Sequence, residues 1–167
     1  RGHADVVRQA VEAGRARGLT PAVMTFDPHP RTVLGHGGGR YCTVLTPLAD
    51  KLALMADLGI EAAYVIRFDR DFAQVTAERF VRELLFPLDV RTAVVGFDFA
   101  FGNRGAGNAE TLRRDGSGEI DVIVADKVQA DDRKVSSTRI RDELAAGSCE
   151  AAQALLGRPY AVKAIVV

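Results

Sequence analysis

The chain has 167 residues, long enough for one domain with a core of its own and too short for two ordinary ones. With 47% hydrophobic and 26% charged residues it has the make-up of a folded globular protein, which argues against a disordered or membrane-embedded chain. Lys plus Arg and Asp plus Glu both number 22, so there is no overall basic field of the kind that draws nucleic acids, and any anion site has to be local.

In chain order, residues 4–17 place Val6, Val7, Ala10, Val11 and Gly14 on one helical stripe, which Gly18 followed by Pro21 brings to an end. A short apolar run of strand length occupies 21–26, before the breaker-rich DPHP at 27–30. Thr46 with Pro47 opens a helix that ends near Gly59, and 62–68 is the next strand. Thr76 caps a helix to about Phe86, 92–97 is a third apolar strand, Asn108 caps a short helix, and 119–125 is a fourth strand. Two short helices, split at Gly147 and Ser148, lead to a last apolar run at 160–167, read as the beginning of a strand at Tyr160. There is no internal repeat.

Apolar strands alternating with amphipathic helices predict an α/β fold, a parallel sheet covered by helices on both faces. The chain opens on a helix where an alternating unit would begin with a strand, so its first strand is expected to be missing. Cys42 and Cys149 are far apart and lack CxxC spacing, which suits a reducing compartment. No run reaches the ~20 apolar residues of a membrane span and no leader is evident, so the expectation is a cytoplasmic protein.

Ligands of parallel α/β sheets sit beyond the carboxyl ends of the strands, so the loops after strands are the ones to read. In TFDPHP, Pro28 and Pro30 fix φ on either side of His29 and hold its imidazole in a defined direction, although a tight turn with a merely exposed histidine would look the same. In GFDFAFG a continuing strand would set Asp98 opposite Phe97, Phe99 and Phe101, whereas a turn at Gly102 would let Phe101 flank a planar ligand; core packing is the plainer use of such rings. Gly102, Gly105 and Gly107 predict a mobile loop, from which Arg104 could meet a phosphate. GHGGG at 35–39 lacks the spacing of a P-loop and reads as a flexible segment. Gly2 and His3 sit at the mouth of the first helix, where backbone can approach a ligand, or where they form an ordinary cap.

KVSSTRIRDEL (134–144) is the best clue. Ser136, Ser137 and Thr138 cap a helix carrying Ile140 and Leu144, yet its first turn holds Arg139 and Arg141. Cations repel the partial positive charge of a helix start unless an anion sits between, so hydroxyls, unsatisfied N–H groups and Arg141 together predict a phosphate cradle, with Arg139 as a bystander.

Taken in order, RGH (1–3), TFDPHP, GFDFAFG, SSTRIR and LGRPY (156–160) resemble the adenylyltransferase module of bacterial bifunctional riboflavin kinase/FAD synthetases, over nearly the whole chain. The resemblance implies a Rossmann-like nucleotidylyltransferase fold that transfers AMP from ATP to FMN, giving FAD and pyrophosphate. It implies that Arg1, Gly2 and His3 end an HxGH signature and that Gly2, His3, Ser136, Ser137, Thr138 and Arg141 hold the ATP phosphates, with His3 and Arg141 catalytic. Pro28, His29, Asp98 and Phe101 would line the flavin pocket, and Mg2+ would arrive with ATP, with no metal ligands of the protein's own. The module would span 1–158, with 159–167 beginning a connection to a riboflavin kinase domain that the sequence does not contain. Small-molecule substrates are the expected partners, with neither nucleic acid nor membrane. Ala100 stands where a basic residue is common in that family. A flavin-binding module without turnover, or a transferase using phosphopantetheine or nicotinamide mononucleotide, are the alternatives.

Overall fold

A helix over Gly2–Ala16 (α1) is followed by a strand, Ala22–Asp27 (β1), in a computed structural model that describes residues 2–35, 44–125, 129–130, 133–134 and 136–162. Val7, Val11 and Gly14 of the predicted stripe are buried, with Val6 and Ala10 beside them half-buried. Gly14 is required by space, because a Cβ there would come within 3.2 Å of both Leu19 O and Pro21 Cγ as the chain folds back.

A single-turn helix, Pro30–Val33 (α2), comes next, then Leu48–Asp57 (α3) and the strand Ala62–Arg67 (β2). Thr76 caps Ala77–Phe80 (α4) by accepting from Arg79 N–H at 3.2 Å, and the helix continues as a π-helical turn over Val81–Leu85. That wider turn buries Val81 and Leu85 together with Phe80. Thr92–Gly96 (β3) precedes Ala109–Asp115 (α5), capped by Asn108 accepting from Thr111 N–H at 3.0 Å, and Asp121–Ala125 (β4) closes this part of the chain.

β1 and β2 pair in parallel from Ala22 opposite Ala62 to Asp27 opposite Arg67; β3 and β4 pair in parallel from Thr92 opposite Asp121 to Gly96 opposite Ala125. The α/β class is as expected, but among the described residues the four strands form two separate parallel pairs and not one continuous sheet. Each pair has its own core. Val7, Val11 and Ile60 pack with Val23, Met55 and Leu58 on the first pair. Phe80, Val81, Leu85, Val95, Phe101, Leu112, Ile120 and Val122 form the larger core of the second, and Met24 of β1 and Phe72 pack against it. Tyr64 and Val65 of β2 and Val124 of β4 are 36%, 41% and 38% exposed. Among the described residues each of these strands is paired along one edge only.

These elements make up one compact unit, His3–Asp126, and a second begins at Lys127. The second holds two short antiparallel strands, Gln129–Ala130 (β5) and Arg133–Lys134 (β6), and the helices Ser137–Ala145 (α6) and Cys149–Leu156 (α7). α6 and α7 separate at Gly147, whose φ of 76° suits glycine, and Gly157 ends α7 in the left-handed conformation. Tyr160 starts no strand: 160–162 are without regular structure and 163–167 lie outside the described residues, as do Arg1, Cys42 and most of GHGGG.

Candidate active site

The second unit carries the helix start singled out above. Ser136 is the cap of α6, its Oγ accepting from Arg139 N–H at 3.3 Å, while Ile140 N–H closes the first helical bond onto Ser136 O at 3.1 Å. The N–H groups of Ser137 and Thr138 precede the first intrahelical bond and point out of the mouth, as the leading amides of any helix must. Ser137 and Thr138 are exposed and Ile140 anchors the turn at 7% exposure. The puzzle of two arginines in one turn is half resolved by Glu143, whose carboxylate lies 4.0 Å from Arg139 Nε one turn along. Arg139 and Arg141 are both half-buried. The start of α6 thus brings together one capping hydroxyl, two exposed hydroxyls and the leading N–H groups, with Arg141 in the following residues.

Gly2 and His3 begin α1, and their side-chain surroundings lie outside the described part of the structure. The DPHP turn is more ordered than its breakers suggest. Pro30 is the first residue of α2, and His29 caps it with Nδ1 accepting from Arg31 N–H at 3.1 Å. Because Nδ1 accepts, the neutral ring carries its proton on Nε2 and presents a donor away from the helix. Asp27–Pro28 is a cis peptide, and Pro28 and His29 are both exposed.

The GFDFAFG stretch corrects two expectations. The strand stops at Gly96, and Phe99 N–H to Gly96 O at 3.0 Å closes a turn that leaves Asp98 exposed. Phe101 is only 8% exposed: it stacks on Phe99 at 5.2 Å between centroids, meets Phe80 at 5.4 Å, and exchanges backbone hydrogen bonds of 3.0 and 2.9 Å with Gly107. Its ring is core. Nor do the glycines loosen the loop: Asn103 ties it down through N–H to Val75 O at 2.7 Å and Nδ2 to Ala73 O at 2.8 Å. Gly102 and Gly107 serve close packing, since a Cβ would lie 2.6 Å from Ala77 N and 2.7 Å from Phe101 Cε1 respectively. Arg104 is exposed with φ of 54°.

A ladder of rings links the end of β1 to this loop: Phe26 to Phe72 at 5.7 Å, Phe72 to Phe80 at 6.4 Å, Phe80 to Phe101 at 5.4 Å. The two loops proposed from sequence thus leave their strands within one packed aromatic cluster. Sequence reading missed a further polar feature there. Lys51 of α3 donates from Nζ to Thr25 Oγ1 of β1 at 2.6 Å, and burial of its ammonium pulls its pKa below the ordinary lysine range while Asp27 pulls the other way. The signal was available: Leu48, Lys51, Leu52 and Met55 share one helical stripe, so a cation interrupts an apolar face.

Parallel strand pairs flanked by helices, together with the family match that follows, define an α/β protein of the nucleotidyltransferase class. The family model for FAD synthetase matches residues 1–139, and the chain belongs to that family. It is 40% identical over 166 residues to a bifunctional riboflavin kinase/FMN adenylyltransferase of Listeria monocytogenes, covering 99% of this chain and 52% of the relative. To the protein of the same description from Escherichia coli K12 it is 34% identical over 169 residues, covering 100% and 53%. A crystal structure described as a macrolide-efflux protein from Streptococcus pneumoniae superposes with a TM-score of 0.86 at 31% identity, over 96% of this chain and 60% of that one. The chain spans about half the length of the curated relatives named here. Among the described residues no helix is long and apolar enough to cross a membrane.

Proposed function

We propose that this chain supplies the adenylyltransferase part of a protein that joins AMP from ATP to FMN, forming FAD and pyrophosphate. A phosphate oxygen of FMN attacks the α-phosphorus of ATP in line, the bond from that phosphorus to the bridging oxygen breaks, and pyrophosphate leaves with the electron pair. Mg2+ enters as part of the nucleotide substrate. The observation that carries this reading is the start of α6, where Ser136 Oγ serves the cap and the exposed Ser137 and Thr138 stand beside the leading N–H groups; with Arg141 in the same first turns, they would hold the triphosphate and the departing pyrophosphate. Gly2 allows close approach of the phosphates at the start of α1, and His3 donates to them.

On the acceptor side, Pro28, His29 and Asp98 would line the flavin pocket, with Pro28 shaping the turn. Phe101, being core, sets the position of Phe99 and of the Asp98 turn. The separation of the β1–β2 pair from the β3–β4 pair suits a further parallel strand, joined to β1 through α1 by the usual right-handed crossover. Residues 1–158 would form this module and 159–167 the approach to a riboflavin kinase domain, in keeping with the bifunctional description of the relatives. Balanced charge argues against nucleic acid as a partner, and the distant pair of cysteines favours the cytoplasm.

The test is to incubate the natural full-length protein with FMN, ATP and magnesium and to follow FAD by chromatography and pyrophosphate by a coupled assay. Formation of both in equal amounts is expected. Quenching of flavin fluorescence with no pyrophosphate would leave a binding module, and faster turnover of phosphopantetheine or nicotinamide mononucleotide would reassign the acceptor.

A further inference from the structure

Lys51 is a cation whose surroundings do not account for its charge. It occupies a core-facing position of α3 and is half-buried, and among the described residues its one hydrogen bond goes to a neutral hydroxyl, Thr25 Oγ1, at 2.6 Å. An ammonium has three donors, so two remain. Asp27 acts on it electrostatically, but among the described residues no carboxylate lies within ion-pair distance of Nζ. Desolvating a charge without a close counter-ion is costly, and an anion arriving from outside would offset that cost.

The place is informative. Thr25 lies two residues before the carboxyl end of β1, where ligands of parallel α/β sheets bind, and Asp27 leads directly into the Pro28–His29 turn. Thr25 accepts from Lys51 and can in turn donate its own hydroxyl proton to an oxyanion. We propose that Lys51, held by Thr25, binds the phosphate monoester of the flavin acceptor and so discriminates FMN from flavins that lack a phosphate. This rests on the acceptor being FMN. Lys51 is not among the residues proposed above for the nucleotide phosphates, and its element packs on the strand that leads into the acceptor-side turn. As a dianion it would reverse the local deficit at Lys51 despite the proximity of Asp27. A lysine that merely ties α3 to β1 would have no influence on which flavin binds.

The experiment uses pyrophosphate release by the natural full-length protein, with lumiflavin, which has neither ribityl chain nor phosphate, as a competitor against FMN. Lys51→Met should raise the KM for FMN by about tenfold or more, the scale of a lost charged hydrogen bond. The KM for ATP and the inhibition constant of lumiflavin should stay within about twofold, and Lys51→Arg should recover most of the FMN affinity. A parallel rise for FMN and lumiflavin, a rise for ATP instead, or no change would each overturn the proposal. Should Lys51→Met fail to fold, Thr25→Val replaces it: release of the amine should raise the KM for FMN severalfold with lumiflavin unaffected, and an unchanged KM overturns the assignment. Wild-type protein that releases no pyrophosphate from FMN and ATP would instead overturn the reading on which this one rests.

Discussion

Truncating Phe101 to alanine is expected to remove about 3–5 kcal/mol of folding stability, the usual cost of emptying a buried aromatic site. The figure follows from the surroundings: the ring is 8% exposed, lies 5.2 Å from Phe99 and 5.4 Å from Phe80, and sits against Gly107, where no side chain can move in to fill the space. Collapse is hindered because the same strand segment exchanges two backbone hydrogen bonds with Gly107. Whole domains are stable by only about 5–15 kcal/mol, so the change should be plain in a urea titration, as a lower midpoint with an unchanged slope. Phe97→Ala serves as the comparison, since that ring is 47% exposed and its loss should cost under about 1 kcal/mol. If Phe101→Ala cost no more than Phe97→Ala and instead abolished flavin binding, the ring would be a wall of the flavin pocket and its placement in the core would be refuted.

Gly102→Ala should destabilise by more than about 2 kcal/mol, because φ is 73° and the added Cβ would lie 2.6 Å from Ala77 N. Gly118→Ala, at φ of 78° but with nothing within 4 Å, should cost only about 1 kcal/mol, and equal melting temperatures for the two variants would contradict the packing argument. Ser136→Ala should lose about 1 kcal/mol of helix stability, read as faster amide exchange in the first turn of α6 and not in α7.

The sequence made the elements of the fold legible where the signal was local. Thr76, Asn108 and Ser136 each cap the helix they were expected to cap, since a hydroxyl or amide three residues before a backbone N–H needs no tertiary partner. Strand ends were less clear. Phe97 continues the apolar run of β3, yet the chain turns at Gly96, a choice made by the Phe99 N–H bond and not by hydrophobicity. The short helix α2 was hidden in DPHP because proline reads as a breaker, although at a first helical position it is a starter.

The candidate site was legible in the same uneven way. The start of α6 drew attention because charge of the wrong sign stands at a helix start, a conflict apparent within five residues, and Ser136 does cap that helix. Phe101 could not be assigned from its motif, since core and ligand-facing rings share one composition and only burial tells them apart. The loop glycines suggested mobility, whereas Ala77 and Phe101 pack against them across a sequence distance that periodicity cannot see. Lys51 and Thr25 lie 26 residues apart and meet only through the packing of α3 on β1.

The central claim is that the start of α6 receives the phosphates of the nucleotide while the first unit receives the flavin. Steady-state kinetics of Arg141→Ala with ATP varied, alongside a fluorescence titration of the same variant with FMN, test it most directly. The account predicts a fall of about 100-fold or more in kcat/KM for ATP with the Kd for FMN within about twofold of wild type. Equal losses for both substrates, or turnover of ATP that is unchanged, would contradict it.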